Sequence, residues 1–267
     1  MLRGASADAL ADLDQQASGT RTLEEAATLG SQLFGVATVV HRDAALRRAL
    51  TDNSVEGEAR TGLARAVFGN ALAEPALKLV AEAAGRRWIS ATDLPEALER
   101  LAVAATVRSA GAHGKQVGDE LFAVKRMIDN DVALRGALAD TSRSVEDRRK
   151  LLLGLIEGHT LPATTVLVGQ AVNRGRGTVE AALQDYLDQA AEALSEAVAT
   201  VHTAHELSAD EQSRLTAALG RQYGKDVQLH VVVDPSLIGG LRVEIGDDVI
   251  DGTVVSRLDD ARRRLAG

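Results

Sequence analysis

At 267 residues the chain can bury one large core or two to three small ones. A formal charge of −8 with only 2% aromatic residues excludes a nucleic-acid wrapper, which needs clustered Lys and Arg and stacking rings. No apolar run approaches the roughly 20 residues of a membrane span. The polar start Met1-Leu-Arg-Gly-Ala-Ser6 lacks a signal-peptide core, and the absence of cysteine removes disulfides and thiolate metal sites, so a cytoplasmic protein that does not enter the bilayer is expected.

In chain order, apolar spacing predicts helices over about 7–16, 23–41, 44–50, 57–68, 75–87 and 93–107. A second series follows over about 118–128, 132–138, 145–156, 163–173 and 179–197. Glycine breaks fall at Gly69, Gly111 to Gly114, Gly158 and Gly175 to Gly177. Ser144 and Thr178 are candidate N-caps. After about Ala197 the period changes to alternation: Val198, Thr200, His202 and Ala204 face one way, and Ala199, Val201 and Thr203 the other. Ser208-Ala-Asp-Glu211 then reads as a capping box opening a helix to about Tyr223, and a Val-rich strand runs from Asp226 to Val233. Leu241, Val243 and Ile245 alternate on a further strand, Gly246-Asp247-Asp248 turns the chain, and Val249-Ile250 returns before Asp251-Gly252. The expected fold class is mainly α: two repeated helical bundles followed by a small C-terminal α+β domain with a β-hairpin.

The two helical series are copies. Leu33-Phe34 matches Leu121-Phe122, Val36 matches Val124, Asp43 matches Asp131, and Ala45-Leu46-Arg47 matches Ala133-Leu134-Arg135. Ala49-Leu50-x-Asp52 matches Ala137-Leu138-x-Asp140. Two unrelated amphipathic helices would share apolar spacing but not these Asp and Arg positions, so the segment is read as an internal duplication. Past Asp52 the register is read as slipping by a residue or two, with Ser54-Val55-Glu56 answering Ser144-Val145-Glu146 and Gly69 answering Gly158. Domains are expected over residues 1–91, 92–197 and 198–267. The helix over about 93–110 is expected to close the first bundle with one half and open the second with the other, coupling them through a shared rod.

The wording Leu237-Ile238-Gly239-Gly240, Gly246-Asp247, Ile250-Asp251-Gly252-Thr253 and Arg257-Leu258 resembles the C-terminal signature of the δ subunit family of bacterial F-type ATP synthases. That family is the counterpart of the mitochondrial oligomycin-sensitivity-conferring subunit. An ordinary member has one six-helix domain and a small C-terminal domain, which residues 92–267 would cover. Residues 1–91 are then an extra copy, as in extended actinobacterial members, in the form not fused to a b-type stalk. The resemblance implies a non-catalytic stator connector in one copy per complex, peripheral on the cytoplasmic face of the cell membrane. Its helical domain would bind the N-terminal helices of head α subunits, and its C-terminal domain the b-type stalk. The family's groove between first and fifth helices maps onto Leu10, Leu13, Leu77 and Val80 in the first copy, and onto Val103, Val107, Val166, Leu167 and Gln170 in the second. Each of these residues also fits a plain core position. A stand-alone helical-repeat adaptor is the alternative.

Sites for chemistry are weak. His202 and His205, three apart on the predicted strand, point to opposite faces and cannot share a metal. The cluster Asp247, Asp248 and Asp251 lacks the alternating ligand spacing of a Ca²⁺ loop and reads as turn residues, which leaves a hydrolase as a distant reading. Arg174-Gly-Arg-Gly177 has no following Lys-Ser/Thr and reads as a loop, while Gly239-Gly240 suggests a close backbone approach or a bulge. No metal and no cofactor is expected. From Thr253 to Gly267 a basic helix is predicted, with Leu258, Ala261 and Leu265 on one stripe; its arginines, Arg257 and Arg263 among them, serve either the helix dipole or an acidic stalk.

Overall fold

A computed structural model describes residues 2–17, 22–174, 177–194, 196–223, 226–235, 237, 239–245 and 248–251. The chain divides into two compact units, Met1–Ala190 and Ala191–Gly267.

The first unit is helical. Its elements are α1 (Ala5–Ala17), α2 (Leu23–Arg42), α3 (Ala44–Thr51), α4 (Gly57–Phe68), α5 (Glu74–Gly85), α6 (Asp93–Arg108), α7 (Gly114–Asn130), α8 (Val132–Ala139), α9 (Val145–Ile156), α10 (Pro162–Asn173) and α11 (Val179–Ala193). A 3₁₀ turn over Gly111–His113 joins α6 to α7. Gly111 there has φ +56°, and an added Cβ would stand 3.1 Å from the Leu23 side chain, so only glycine fits this turn. Helix α11 ends four residues before the predicted 197, and the strand that follows starts at Glu196.

The duplication is closer than the sequence suggested. Helices α3, α4 and α5 end at residues 51, 68 and 85, and α8, α9 and α10 end at 139, 156 and 173, each pair 88 residues apart. The expected slip past Asp52 is therefore corrected: Ser54 answers Ser142, not Ser144. The reason is a shared Asx turn. Asp52 Oδ1 accepts from Ser54 N at 2.9 Å and Ser54 Oγ at 2.6 Å, and Asp140 Oδ1 accepts from Ser142 N and Oγ at the same two distances. Upstream, Asp43 caps α3 through the N–H groups of Ala45 and Leu46, and Asp131 caps α8 through those of Ala133 and Leu134. The matching aspartates are thus conformational signals, each satisfying amide donors left over at a helix start.

Buried side chains follow the same offset. Leu33 and Leu121, Val40 and Ile128, Leu50 and Leu138, and Leu79 and Leu167 are core pairs, none more than 4% exposed. Between the copies lies α6, whose residues from Leu101 to Val107 are all buried. It packs against α1, α2, α3 and α5 of the first copy and α7 and α10 of the second, but it is not shared by halves as expected: α1 is bonded to it at both ends, through Ser6 to Asp93 and Asp14 to Arg108, so the first copy runs along its whole length. Helix α2 is its chief partner. Gly30 lets the two backbones meet: a Cβ there would fall 2.5 Å from Thr106 Oγ1 and 3.1 Å from the Ala102 carbonyl.

The second unit is a four-stranded sheet in the order β2-β1-β3-β4, with β1 (Glu196–Thr203), β2 (Asp226–Val233), β3 (Leu241–Ile245) and β4 (Asp248–Asp251). Strands β1 and β2 run parallel, joined through α12 (Ala209–Tyr223), and β1-β3 and β3-β4 are antiparallel. The capping box that opens α12 forms as predicted, with Glu211 N donating to Ser208 Oγ and Ser208 N to Glu211 Oε2. Ala199, Val201, Val227, Val243 and Ile245 make one buried face that Leu219 of α12 covers, which is the alternation predicted for β1 and β3.

Candidate protein-binding site

Helix α6 starts where a hydroxyl and a backbone amide converge on Asp93, whose carboxylate accepts from Ser6 Oγ at 2.6 Å and from Ser90 N at 3.1 Å. Ser6 Oγ in turn accepts from Ile89 N. This ties α1 to the first turn of α6, and at the other end Arg108 donates to both Asp14 oxygens at 2.9 and 3.1 Å.

On the flank of α6 that faces α2 and α10 lies a hollow lined by Phe34, Thr38, Pro95, Glu99, Gln170 and Tyr186. Its floor is a charged knot. Arg174 pairs with Glu99 at 3.0 Å and Asp185 at 2.5 Å, and its guanidinium lies 5.7 Å over the Tyr186 ring. Tyr186 donates to Glu99 at 2.7 Å and packs its ring 6.1 Å from that of Phe34. Burial disfavours the Arg174 charge, but Glu99 and Asp185 outweigh it and hold the guanidinium above its ordinary pKa. The first copy has a simpler counterpart, Arg86 paired with Asp12 at 3.2 Å.

A second repeated device fixes the fifth helix of each copy. Gln32 of α2 accepts from Ala73 N at 3.1 Å, and Glu120 of α7 accepts from Leu161 N at 2.8 Å and from Thr164 Oγ1. Each side chain reaches across from one helix to cap the start of another. The sequence reading missed both, because Gln32 and Glu120 differ in type and no local spacing links them to residues 41 positions away. It also missed the Thr22-Leu-Glu-Glu25 capping box of α2, which its spacing does announce.

The groove residues nominated from the sequence separate clearly. Leu13, Leu77, Val80, Val103, Val107 and Leu167 are all 8% exposed or less and belong to the core. Leu10 and Gln170 are half-buried, and Val166 is 40% exposed. Only Gln170 of the nine lines the hollow.

In the small unit Gly240 has φ +83°, a left-handed conformation that suits glycine, just ahead of β3. Asp248 accepts from the Tyr223 hydroxyl at 3.1 Å, and Asp251 is exposed at the end of β4. The expected Gly246-Asp247 turn, Gly252, and the helix carrying Arg257, Leu258, Ala261 and Arg263 lie outside the described residues. Strand β1 ends at Thr203, so His205 is not on it as predicted. Among the described residues no group of three His, Cys, Asp or Glu side chains could hold a metal ion, and no helix is long and apolar enough to cross a membrane.

Comparison with known proteins gives a consistent result. Residues 97–265 match the family model "ATP synthase delta (OSCP) subunit". A protein named ATP synthase subunit delta from Nocardioides sp. is 50% identical over 100% of this chain and 98% of its own length. Proteins of the same name from Kineococcus radiotolerans and Streptomyces coelicolor are 39% and 38% identical, over 98% and 99% of this chain and 95% and 98% of theirs. The front copy, which the family model does not reach, is thus matched by these relatives.

Proposed function

The chain belongs to the ATP synthase delta (OSCP) subunit family, and from that premise we propose that it is the stator connector of an F-type ATP synthase. The helical unit binds the N-terminal helices of head α subunits, and the small unit binds a b-type stalk. One copy sits peripherally on the cytoplasmic face of the cell membrane, and the head is thereby kept from turning with the rotor. The functional division proposed is 1–91 and 92–197 for the two helical copies and 198–267 for the stalk-binding part. No chemistry of its own is required, and neither metal nor cofactor.

The observation that carries this reading is the family match across 97–265, which spans the second helical copy and the sheet unit together. The architecture supports it. A joint under torque needs nanomolar binding, about 12 kcal/mol, at each end, and needs stiffness between the helical copies. Two units with separate cores offer two ends, and the rod α6 with α2 laid along it offers the stiffness. Arg257, Leu258, Ala261 and Arg263 are proposed for the stalk side, where a basic segment on an acidic chain attracts acidic partners.

The test is a pulldown with purified head and stalk subunits. The full chain is expected to retain both, and a chain ending at Ala190 to retain the head and lose the stalk. If the shortened chain held both partners, the two-ended connector would be wrong.

A further inference from the structure

The sheet of the small unit has two faces, and among the described residues only one of them is covered. Helix α12 packs on the face that holds Ala199, Val201, Val227, Val243 and Ile245. The strand register puts Thr200, His230 and Glu244 side by side on the other face, with Gln228 two residues along β2 from His230. His230 is nevertheless only 3% exposed, although β2 is an edge strand with a neighbour on one side alone. Thr200, Gln228 and Glu244 are half-buried. At the opposite edge Val249 of β4 points to the same face and is 55% exposed. A cover therefore lies over β2 and β1 and stops short of β4.

We infer that the cover is the chain's own segment 252–267, laid across the back of the sheet with Val254, Leu258, Ala261 and Leu265 facing β1 and β2. The other stretches of the small unit outside the described residues are one or two residues each, too short to bury an imidazole on a flat face. This one has 16 residues and leaves the sheet at Asp251, the end of β4. From β4 to β2 is three strand spacings, about 14 Å. A helix of that length spans about 24 Å, so it reaches β2 with residues to spare. Positions 254, 258, 261 and 265 recur at helical spacing and form one apolar stripe, while Arg263 falls on the opposite side and Arg257 on the flank. The consequence rests on the connector reading and divides the residues given to the stalk side. Leu258 and Ala261 seat the segment on the sheet, and Arg257 and Arg263 are the groups left to meet an acidic stalk.

The experiment reads the reactivity of His230 towards diethylpyrocarbonate in the full chain, by mass spectrometry of its peptide, with the exposed His205 as internal standard. In the unaltered chain His230 is expected to react at least tenfold more slowly than His205. Leu258→Asp and Leu265→Asp each put a carboxylate into the apolar seat, and each is expected to raise the His230 rate tenfold or more, with His205 and the amide exchange of α12 unchanged. A His230 rate unaltered in both variants overturns the inference. Where a variant loosens α12 as well, cysteine accessibility decides. In a chain that has no cysteine, Leu258→Cys is expected to react with a thiol reagent at least tenfold more slowly than Arg263→Cys, and equal rates overturn the inference. The stalk pulldown separates this from the connector reading. An unaltered chain with His230 shielded that holds no stalk loses the connector reading and keeps the cover, and one that holds the stalk with His230 reactive does the reverse.

Discussion

The first and second helical copies share the boundaries of their third to fifth helices, the caps at Asp43 and Asp131 and the Asx turns at Asp52 and Asp140, all at a fixed offset, yet they are held together differently. In the first, Gly57 of α4 faces Gly85 of α5 so closely that a Cβ on Gly57 would stand 2.8 Å from the Gly85 carbonyl oxygen. The second has Val145 and Asn173 at those places. Arg60 in the first is 3% exposed and donates to the carbonyls of Ala84, Arg86 and Gly85 at the end of α5. Its counterpart Arg148 donates instead to Leu138 at the end of α8. Duplication therefore preserved the local turn chemistry and let the inter-helix contacts diverge. Local signals depend on two to four neighbouring residues, whereas a helix contact shifts whenever either face changes volume.

The sharpest way to break the comparison is at the shared rod. Replacing Gly30 by Val drives a branched side chain into Thr106 and the backbone of α6, and neither can retreat from a helix packed on both sides. A loss of about 2 to 4 kcal/mol in unfolding free energy is expected. Because α6 serves both copies, helix signal and Trp88 fluorescence should shift together in a denaturant titration. Trp88 reports on the first copy, where its indole N–H donates to the Ala83 carbonyl. Two separated transitions would show that the rod does not couple the copies.

Next in size is the contrast between the two matching arginines, Arg60, which is buried, and Arg148, which is half-buried. Arg60→Met removes a guanidinium that satisfies three carbonyls and should cost about 2 to 3 kcal/mol, while Arg148→Met removes one carbonyl contact and should cost about 1 kcal/mol. Equal losses, measured by urea unfolding of both variants, would mean that the divergence seen in the contacts carries no energy.

How much of this was legible in the sequence depends on range. The Ser144, Thr178 and Ser208 caps are local, and apolar spacing with glycine breaks placed every helix among the described residues to within a few residues; Asp43 and Asp131 were legible as a repeated pair but not as caps. The alternation of β1 and β3 was equally plain, since one face is buried and a one-residue slip would expose it. What stayed hidden was long-range. Nothing in residues 93 to 108 distinguishes Val103 and Val107 as core from groove, because an apolar side chain suits both and only the neighbours decide. The knot of Arg174, Glu99, Asp185 and Tyr186 joins three helices, and the sequence read its arginine as part of a loop. The register past Asp52 was misread because Ser144 attracted the alignment, although Ser142 holds the position in the turn that Ser54 holds.

In the small unit a third variant separates it from the helical one. Gly240→Val must adopt φ +83°, which a branched residue resists, at a cost of about 1 to 2 kcal/mol confined to the sheet. Hydrogen exchange is expected to accelerate in β1 and β3 and to stay unchanged in α2 and α6. Faster exchange in the helical unit as well would contradict the division into two compact units.

The smallest effect probes what the copies still have in common. Asp52 and Asp140 both have carboxyl pKa values held below the ordinary value, chiefly by the hydroxyl of Ser54 or Ser142 and then by the serine amide. A depressed carboxylate contributes stability above its unfolded pKa and loses that contribution as pH falls through the folded one, so both turns weaken in the same acid range. Ser54→Ala and Ser142→Ala should each raise the titration midpoint of the partner aspartate, read from carboxyl carbon shifts in NMR. Because the hydrogen-bond distances match in the two turns, the two rises should be alike. A response at Asp52 without one at Asp140 would mean that the divergence of the helix contacts reaches the turns too, and that the offset of 88 preserves geometry without preserving its electrostatics.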